Sequence, residues 1–599
     1  MLSRDPARRS GAFRESGVWL GSALFLLACL CFAGILRNEF VWDDWAFVVR
    51  TMGFRGLDLR HLRWMSTTAT MSTFAPLAWL SYAIDYSAWR LQPFGYHLTN
   101  LLLHAANTVI FYGLAGVLLC RVFPREDRAT LRAGAALAAL AFALHPLRVE
   151  SVAWVSERRD LLAGTFFLAT LCLYVQAQAV GPGRRWRFIS ASVACFVLAA
   201  LSKPSVVPLP VVLLILDYYP LERLRMPARP AAVLGLLAEK VPYLLIASAD
   251  AFMAIRAQVI TRNFVTVAQY GLASRLAQSL YGVGFYLAKT LVPMRLCALY
   301  PLPERLSLRE PMVWQSLLIV AVAAWALRRS GVVGRAAAAL WAYYLAMLLP
   351  VLGLLQNGPQ LVALRYSYLA CLGWALLAGS VAVPACRAWK GLRFGSRWSY
   401  AAAALCLGLG VNAKLVQAQI RVCHDDVRLW AGVLARSPSS FNANLNLADA
   451  LTRAGDPRSA VVYARAALRW SGSDDGLATL CLAKALAGAG LLPEARLRLE
   501  RLVQERPDWS AAHDLFGVVF VGQGETALAL EQFRRAVALD PRAAQAQYNL
   551  GALLARQGRF AQAVPSLEAA AGLEPDEPRY RVVLELARRD LRRSLRSRP

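Results

Sequence analysis

Between residues 18 and 414 the chain returns eleven times to an apolar stretch, near 18–36, 98–120, 131–145, 161–179, 187–201, 205–217, 231–255, 312–327, 336–355, 366–384 and 399–414. Several are shorter than the roughly 20 residues that a bilayer-spanning helix needs, so their ends extend into the flanking residues. With 57% hydrophobic and 17% charged residues and a mean hydropathy of +0.41, the chain is far from a soluble globular domain. The expected fold class is all-α: a polytopic helical membrane domain of about eleven spans, followed by a soluble part.

The charge supplies the orientation. A net charge of +28, from 66 Lys and Arg against 38 Asp and Glu, raises the question of nucleic acid. The arginines, however, lie in short clusters between apolar runs, with no basic face interleaved with aromatics, so nucleic acid is excluded as a partner. Short cytoplasmic loops collect Lys and Arg. The N-terminal segment 1–17, Arg121/Arg125/Arg128, Arg184/Arg185/Arg187, Arg223/Arg225/Arg229, Arg328/Arg329/Arg335 and Arg387/Lys390/Arg393/Arg397 therefore belong inside. Eleven crossings satisfy all of them if 256–311 stays outside, with a re-entrant or surface helix near 275–292. The first outer loop is then 37–97, the other outer segments are 146–160, the turn 202–204 and 356–365, and the C-terminus is outside. The apolar run continues past Cys29, which fits a retained first span rather than a cleaved leader. The excess of Arg over Lys and the alanine content suggest a bacterium of high GC content. The location expected is the inner membrane, with the outer face in the periplasm. The eleven cysteines are scattered, without metal spacing, and read as buried thiols.

After Asn412 a period appears. Gly490, Gly524 and Gly558 are 34 residues apart, as are Ala495, Ala529 and Ala563, and Pro507, Pro541 and Pro575. This is the tetratricopeptide period, with small residues where two helices touch. The organisation expected is a membrane domain at 18–414, a linker helix at 415–438 and a periplasmic repeat α-solenoid at 439–599. Four repeats run to 575 and a basic helix caps them. Such repeats bind protein segments, so a protein acceptor or partner is expected there.

Four polar stretches fall on the outer face. In VWDDWAFV, Asp43 and Asp44 either end the first helix beside an interfacial tryptophan belt or carry chemistry. As chemistry, they suit two roles equally: general base on a hydroxyl, or ligand of a divalent cation such as Mg or Mn. In the segment 141–164, His145 ends the third span, and Glu150, Glu157, Arg158 and Asp160 precede the fourth. If 149–158 is helical, Val149, Val152, Trp154 and Val155 rest on the membrane surface. A solvated connector with mutually paired charges is the plainer reading of that segment. Lys203, in a tight turn, either snorkels to head groups or meets an anion. Arg365, beside Tyr366 and Tyr368, is a helix-end anchor or a two-donor phosphate clamp. Together these residues match a donor whose tail lies in the lipid bilayer and whose phosphate lies at its surface.

The stretches NEFVWDDW, GYHLTNLLLHAANT, HPLRVESVAWVSERRDLL, LSKPSVVPLPVVLLILDYYPL and RYSYL, followed by the repeats, resemble the transmembrane-and-tetratricopeptide-repeat family. Its animal members are protein O-mannosyltransferases of the GT-C type, which take polyprenyl-phosphate sugars on the outer or lumenal side. The resemblance implies catalysis by Asp43 or Asp44. It also implies a donor phosphate held by Lys203, Arg365 or Arg158, with His145, Glu150 and Tyr366 in the substrate site. Two departures stand out: Ala75 replaces an arginine of many relatives, and Leu364 replaces an acidic residue. The leading expectation is transfer of a mannose-like hexose from a polyprenyl-phosphate-linked sugar to a protein hydroxyl. The alternative, which the departures favour, is a non-catalytic membrane-anchored repeat scaffold for envelope assembly. A transporter fits less well, because the charges gather on one face and not along a path at mid-membrane.

Overall fold

The computed structural model describes residues 18–224, 230–261, 265–303, 305–332, 334–354, 358, 360–390, 396–472 and 475–596. The basic segment 1–17, and Arg225, Arg229 and Arg393 of the arginine clusters, lie outside them. The chain divides into two compact units, Met1–Leu429 and Trp430–Pro599. Both are helical; the described strands are one short antiparallel pair, Tyr300–Pro301 against Gln360–Val362.

In the first unit each of the eleven apolar segments is helical. Their boundaries follow local chemistry. Proline opens Pro93–Val122, Pro182–Ala200 and Pro311–Arg329, where its missing N–H costs nothing. Asp127 caps Arg128–Ala143 by accepting from the N–H groups of Ala129 and Thr130. Apolar side chains such as Leu30, Leu245 and Leu318 are more than 60% exposed, a surface suited to lipid.

Fewer helices pass as complete spans than the eleven expected. Among the described residues five qualify by length and apolarity: Val18–Arg37, Pro93–Val122, Val155–Ala177, Val233–Ile260 and Pro311–Arg329. Two pairs bent by 54°, Arg128–Ala143 with Pro146–Ala153 and Leu364–Ala370 with Leu372–Cys386, bring the number to seven. Pro204–Tyr218 and Arg335–Val351 are apolar but shorter. The physical reason is that several segments turn or break inside the bundle, and the broken ends carry the polar residues.

Three further expectations change. The helix expected near 275–292 is Leu272–Leu291, and it packs into the unit rather than resting on a surface: a Cβ on Gly284 would collide with Ser316. The segment 146–160 is not a surface helix. It folds as three short turns, and Val149, Val152, Trp154 and Val155 are all buried in protein. The last apolar helix does not end near 414 with a separate linker helix at 415–438. Ser396–Val422 is continuous, Gln417 donates to the Cys31 carbonyl, and a new helix, Asp426–Leu434, begins after a short break.

Among its described residues the second unit holds the end of Asp426–Leu434, then four helix pairs beginning at Phe441, Asp475, Ser510 and Ala544, followed by Pro578–Arg596. The 34-residue period has a backbone cause. Gly490, Gly524 and Gly558 sit at φ of 78°, 81° and 73°, and Gly455 at 83°, the left-handed conformation that turns one helix into its partner. Ala495, Ala529 and Ala563 are fully buried. Space around Gly524 is open, whereas a Cβ on Gly551 would lie 2.7 Å from Leu567. Gly524→Ala is therefore expected to cost only the backbone strain, about 1 kcal/mol. Gly551→Ala should cost more, as a larger drop in unfolding midpoint; equal drops would show that helix contact does not limit this position.

Candidate active site

The site is assembled where the loop after the first apolar helix, the turns of 146–160, the Lys203 turn and the Arg365 turn meet. Asp44 is fully buried and acts as a backbone clamp. Its Oδ1 accepts from the Ser156 N–H at 2.6 Å, and its Oδ2 from the N–H groups of Val155 and Val41, both at 3.2 Å. It thus joins the first loop to the turn Val155–Glu157. Burial pushes its carboxyl up to about 7 against the pull of those donors, Ser156 first. Asp43 is half-buried and makes no hydrogen bond or ion pair among the described residues. Burial raises its pKa, with Arg365, then Arg159 and Lys203, pulling down and Glu157 pushing up.

Glu157 is the hub beside it. Its carboxylate meets Arg159 at 3.0 Å, Lys203 at 2.7 Å and Arg365 at 3.4 Å, and is itself buried. Lys203 also reaches Asp160 at 2.9 Å, so the anion it faces is protein carboxylate rather than a head group. The Lys203 turn gathers Glu157 and Asp160 because the two are separated by one helical turn at the start of Arg158–Ala177.

Arg365 is less committed. Its contacts with Glu150 and Glu157, at 3.7 and 3.4 Å, are long for hydrogen bonds, and its guanidinium donates none among the described residues. It lies over the Trp154 and Tyr366 rings. Two bonds between the Tyr286 hydroxyl and the backbone of Ala363, both 3.1 Å, fix the strand end before it. Glu150 accepts the Arg365 N–H at 3.1 Å through Oε2, while its buried Oε1 has no partner among the described residues. The Tyr366 hydroxyl accepts from Gln360 and keeps its own proton to donate.

Two of the expected substrate residues lie elsewhere. Arg158 is fully buried and paired with Asp85 at 2.6 Å, bonded to Asn100 and the Tyr96 carbonyl and stacked on Tyr82. It holds helices together rather than offering itself to a donor phosphate, and its neighbour Arg159 is the arginine of this pair whose charge acts on Asp43. The reason is helical phase: neighbouring residues at a helix start point about 100° apart. His145 accepts the Leu147 N–H and donates to the Thr290 carbonyl at 3.0 Å, capping the turn Pro146–Arg148. The possible cation role of the aspartates is not matched by the donor set. Asp44 is saturated by N–H donors, Asp43 faces three cations, and no metal-binding group of three His, Cys, Asp or Glu exists among the described residues.

Two kinds of known protein are similar to this chain, tetratricopeptide-repeat proteins and protein O-mannosyl-transferases. A tetratricopeptide-repeat family model matches residues 515–578. The chain is 32% identical over 139 residues to the protein O-mannosyl-transferase TMTC3 of Mus musculus, covering 23% of this chain and 14% of that protein. It is 32% identical over 171 residues to the Homo sapiens protein O-mannosyl-transferase TMTC4, covering 26% and 23%. Over these stretches the chain is similar to the TMTC proteins. It spans less than a quarter of the length of these two relatives. Among solved structures, the tetratricopeptide protein TTC0263 of Thermus thermophilus is 20% identical with a TM-score of 0.25, over 30% of this chain and 95% of that one. MamA of Desulfovibrio magneticus RS-1 is 20% identical with a TM-score of 0.22, over 25% and 85%.

Glu157, Arg159 and Asp160 were within reach of sequence reasoning. They lie in the same SERRD stretch as Arg158, and their spacing brings Glu157 and Asp160 onto one helix face. A second buried network has a clearer signal in the sequence. Glu239 and Lys240 interrupt an apolar helix, where ionisable residues demand partners. Lys240 meets Asp217 at 2.7 Å and the Tyr174 hydroxyl at 2.5 Å, and Arg223 joins Asp217 and Glu239 at 2.9 and 2.8 Å. The face expected to hold only short basic loops therefore has its own ion network.

Proposed function

We propose that the chain is a membrane glycosyltransferase that moves a hexose, mannose-like, from a polyprenyl-phosphate donor to a hydroxyl of a protein acceptor. The observation that carries this reading is that, among the described residues, Asp43 makes no hydrogen bond or ion pair, Glu150 Oε1 accepts no hydrogen bond, and the Arg365 guanidinium has only long ion pairs and donates no hydrogen bond. Buried polar atoms without partners call for an explanation, and a phosphate-linked sugar supplies one for each. Arg365 takes the donor phosphate through paired N–H groups, Tyr366 adds a donor, and Glu150 Oε1 accepts a sugar hydroxyl.

In the step itself Asp43 takes the acceptor hydroxyl proton. The acceptor oxygen attacks the anomeric carbon and the bond from that carbon to the phosphate oxygen breaks. The electron pair stays on the polyprenyl phosphate, where Arg365 balances the charge. A single displacement inverts the anomeric centre. The reading keeps a cytoplasmic N-terminus and periplasmic repeats at the bacterial inner membrane, with the repeats recruiting the protein acceptor.

The test is to incubate purified full chain with radiolabelled polyprenyl-phosphate mannose or glucose and periplasmic extract, and to follow label into protein. Labelled protein is expected. Neither transfer nor binding of either lipid-linked sugar would overturn the reading and leave the repeat scaffold.

A further inference from the structure

We infer that Asp426 is a positioning residue for Asp43, acting through the backbone of Trp42. This rests on the reading of Asp43 as the base. The segment after the last apolar helix grips the loop after the first apolar helix at three successive points. Asn38 Nδ2 donates to the Cys423 carbonyl at 3.0 Å, the Glu39 N–H to the His424 carbonyl at 2.8 Å, and the Trp42 N–H to Asp426 Oδ1 at 2.7 Å. These bonds join residues more than 380 apart in sequence, so local turn propensity does not explain them.

Trp42 is where a hold is needed. Its φ is +46°, a left-handed conformation unfavourable for a bulky residue and kept only where the surroundings impose it. On one side Asp44 ties down the Val41 N–H, and its own N–H donates back to the Val41 carbonyl at 2.9 Å. The Trp42 ring meets Trp154 edge-on at 5.2 Å. The hold on the Trp42 N–H itself is Asp426, which is buried and is the first residue of the helix Asp426–Leu434 that leads on to the repeats. Asp43 follows Trp42 directly and has no side-chain bond of its own to orient it. The direction of its carboxylate is therefore set by the backbone that Asp426 holds.

The role belongs to an oxygen acceptor, so Asn should replace Asp. Asp426→Ala is expected to lower kcat about tenfold to a hundredfold, the cost of a small misplacement, with donor KM within about twofold because Arg365 stands on a different element. Asp426→Asn keeps an acceptor and should restore most of kcat. Asp425→Ala, which removes the adjacent carboxylate that caps Arg428, should leave kcat unchanged. Hydrogen exchange over residues 39–47 supplies a readout independent of activity. Asp426→Ala should exchange faster there, and Asp426→Asn should stay near the wild type. Unchanged exchange in Asp426→Ala would overturn the inference, as would loosened exchange with wild-type kcat, or an Asn variant as impaired as Ala. If the wild type transfers no sugar, the reading of Asp43 fails and the inference with it; exchange then shows whether the loop contact itself exists.

Discussion

Asp43→Asn is expected to remove transfer while the protein remains folded and still binds the lipid-linked sugar. General-base assistance contributes about 10²- to 10⁴-fold, so kcat should fall by that range with donor affinity little changed. Folding should survive because the Asp43 carboxylate makes no hydrogen bond or ion pair among the described residues. Asp44→Asn is the contrasting variant. It exchanges an oxygen that accepts backbone N–H groups for an amide that donates, so its loss should appear in the unfolding midpoint as well as in rate. The pH profile gives an independent handle. A base works only when ionised, and burial raises the Asp43 pKa above its ordinary value. Activity should therefore rise with pH through that raised value and be lost below it, with the acid limb above the usual carboxylate range of about 4. In Asp43→Asn that limb should disappear from any residual activity. Full transfer by this variant, or an unmoved limb, would remove Asp43 from the chemistry.

The sequence carried the outline of this site but not its wiring, and the reason is physical. Apolar length and arginine placement report on burial and charge along the chain, and those define helices and faces well. The 34-residue spacing of Gly490, Gly524 and Gly558 was equally legible, because a left-handed turn between helices requires the same residue each time. The pair of aspartates was legible as unusual. What separates them is which one receives the N–H groups of Val155 and Ser156, about 110 residues away, and no local pattern encodes that. The same holds for Arg158 and Arg159. Adjacent in sequence and identical in chemistry, they face opposite duties because a helix begins between Glu157 and Arg158. Asp426 lay outside any expected site, since its partner is almost the whole membrane unit away along the chain.

Lys240→Met should be among the most destabilising single changes in the first unit. Lys240 and Asp217 are both wholly buried and 2.7 Å apart, and removing one partner leaves a carboxylate that the interior solvates poorly. Breaking a buried pair from one side costs about 3–5 kcal/mol. Arg223, at 2.9 Å from Asp217, is already shared with Glu239 and more exposed, so it compensates only in part. Tyr174 loses the ammonium from its hydroxyl but keeps its own bond to Asp217, at 2.7 Å. Removing both charges at once separates charge from packing. In the double variant Lys240→Met, Asp217→Asn, the amide oxygen still accepts from Tyr174 and no uncompensated carboxylate remains. The double variant should therefore recover most of the stability lost by Lys240→Met, read as the unfolding midpoint in detergent. A single variant as stable as the wild type would show that the pair contributes nothing net. A double variant no better than the single would show that the cost lies in the lost packing of the lysine stem. Recovery is expected because an ion pair buried in this way is costly to half-remove, even where its replacement by neutral groups costs little.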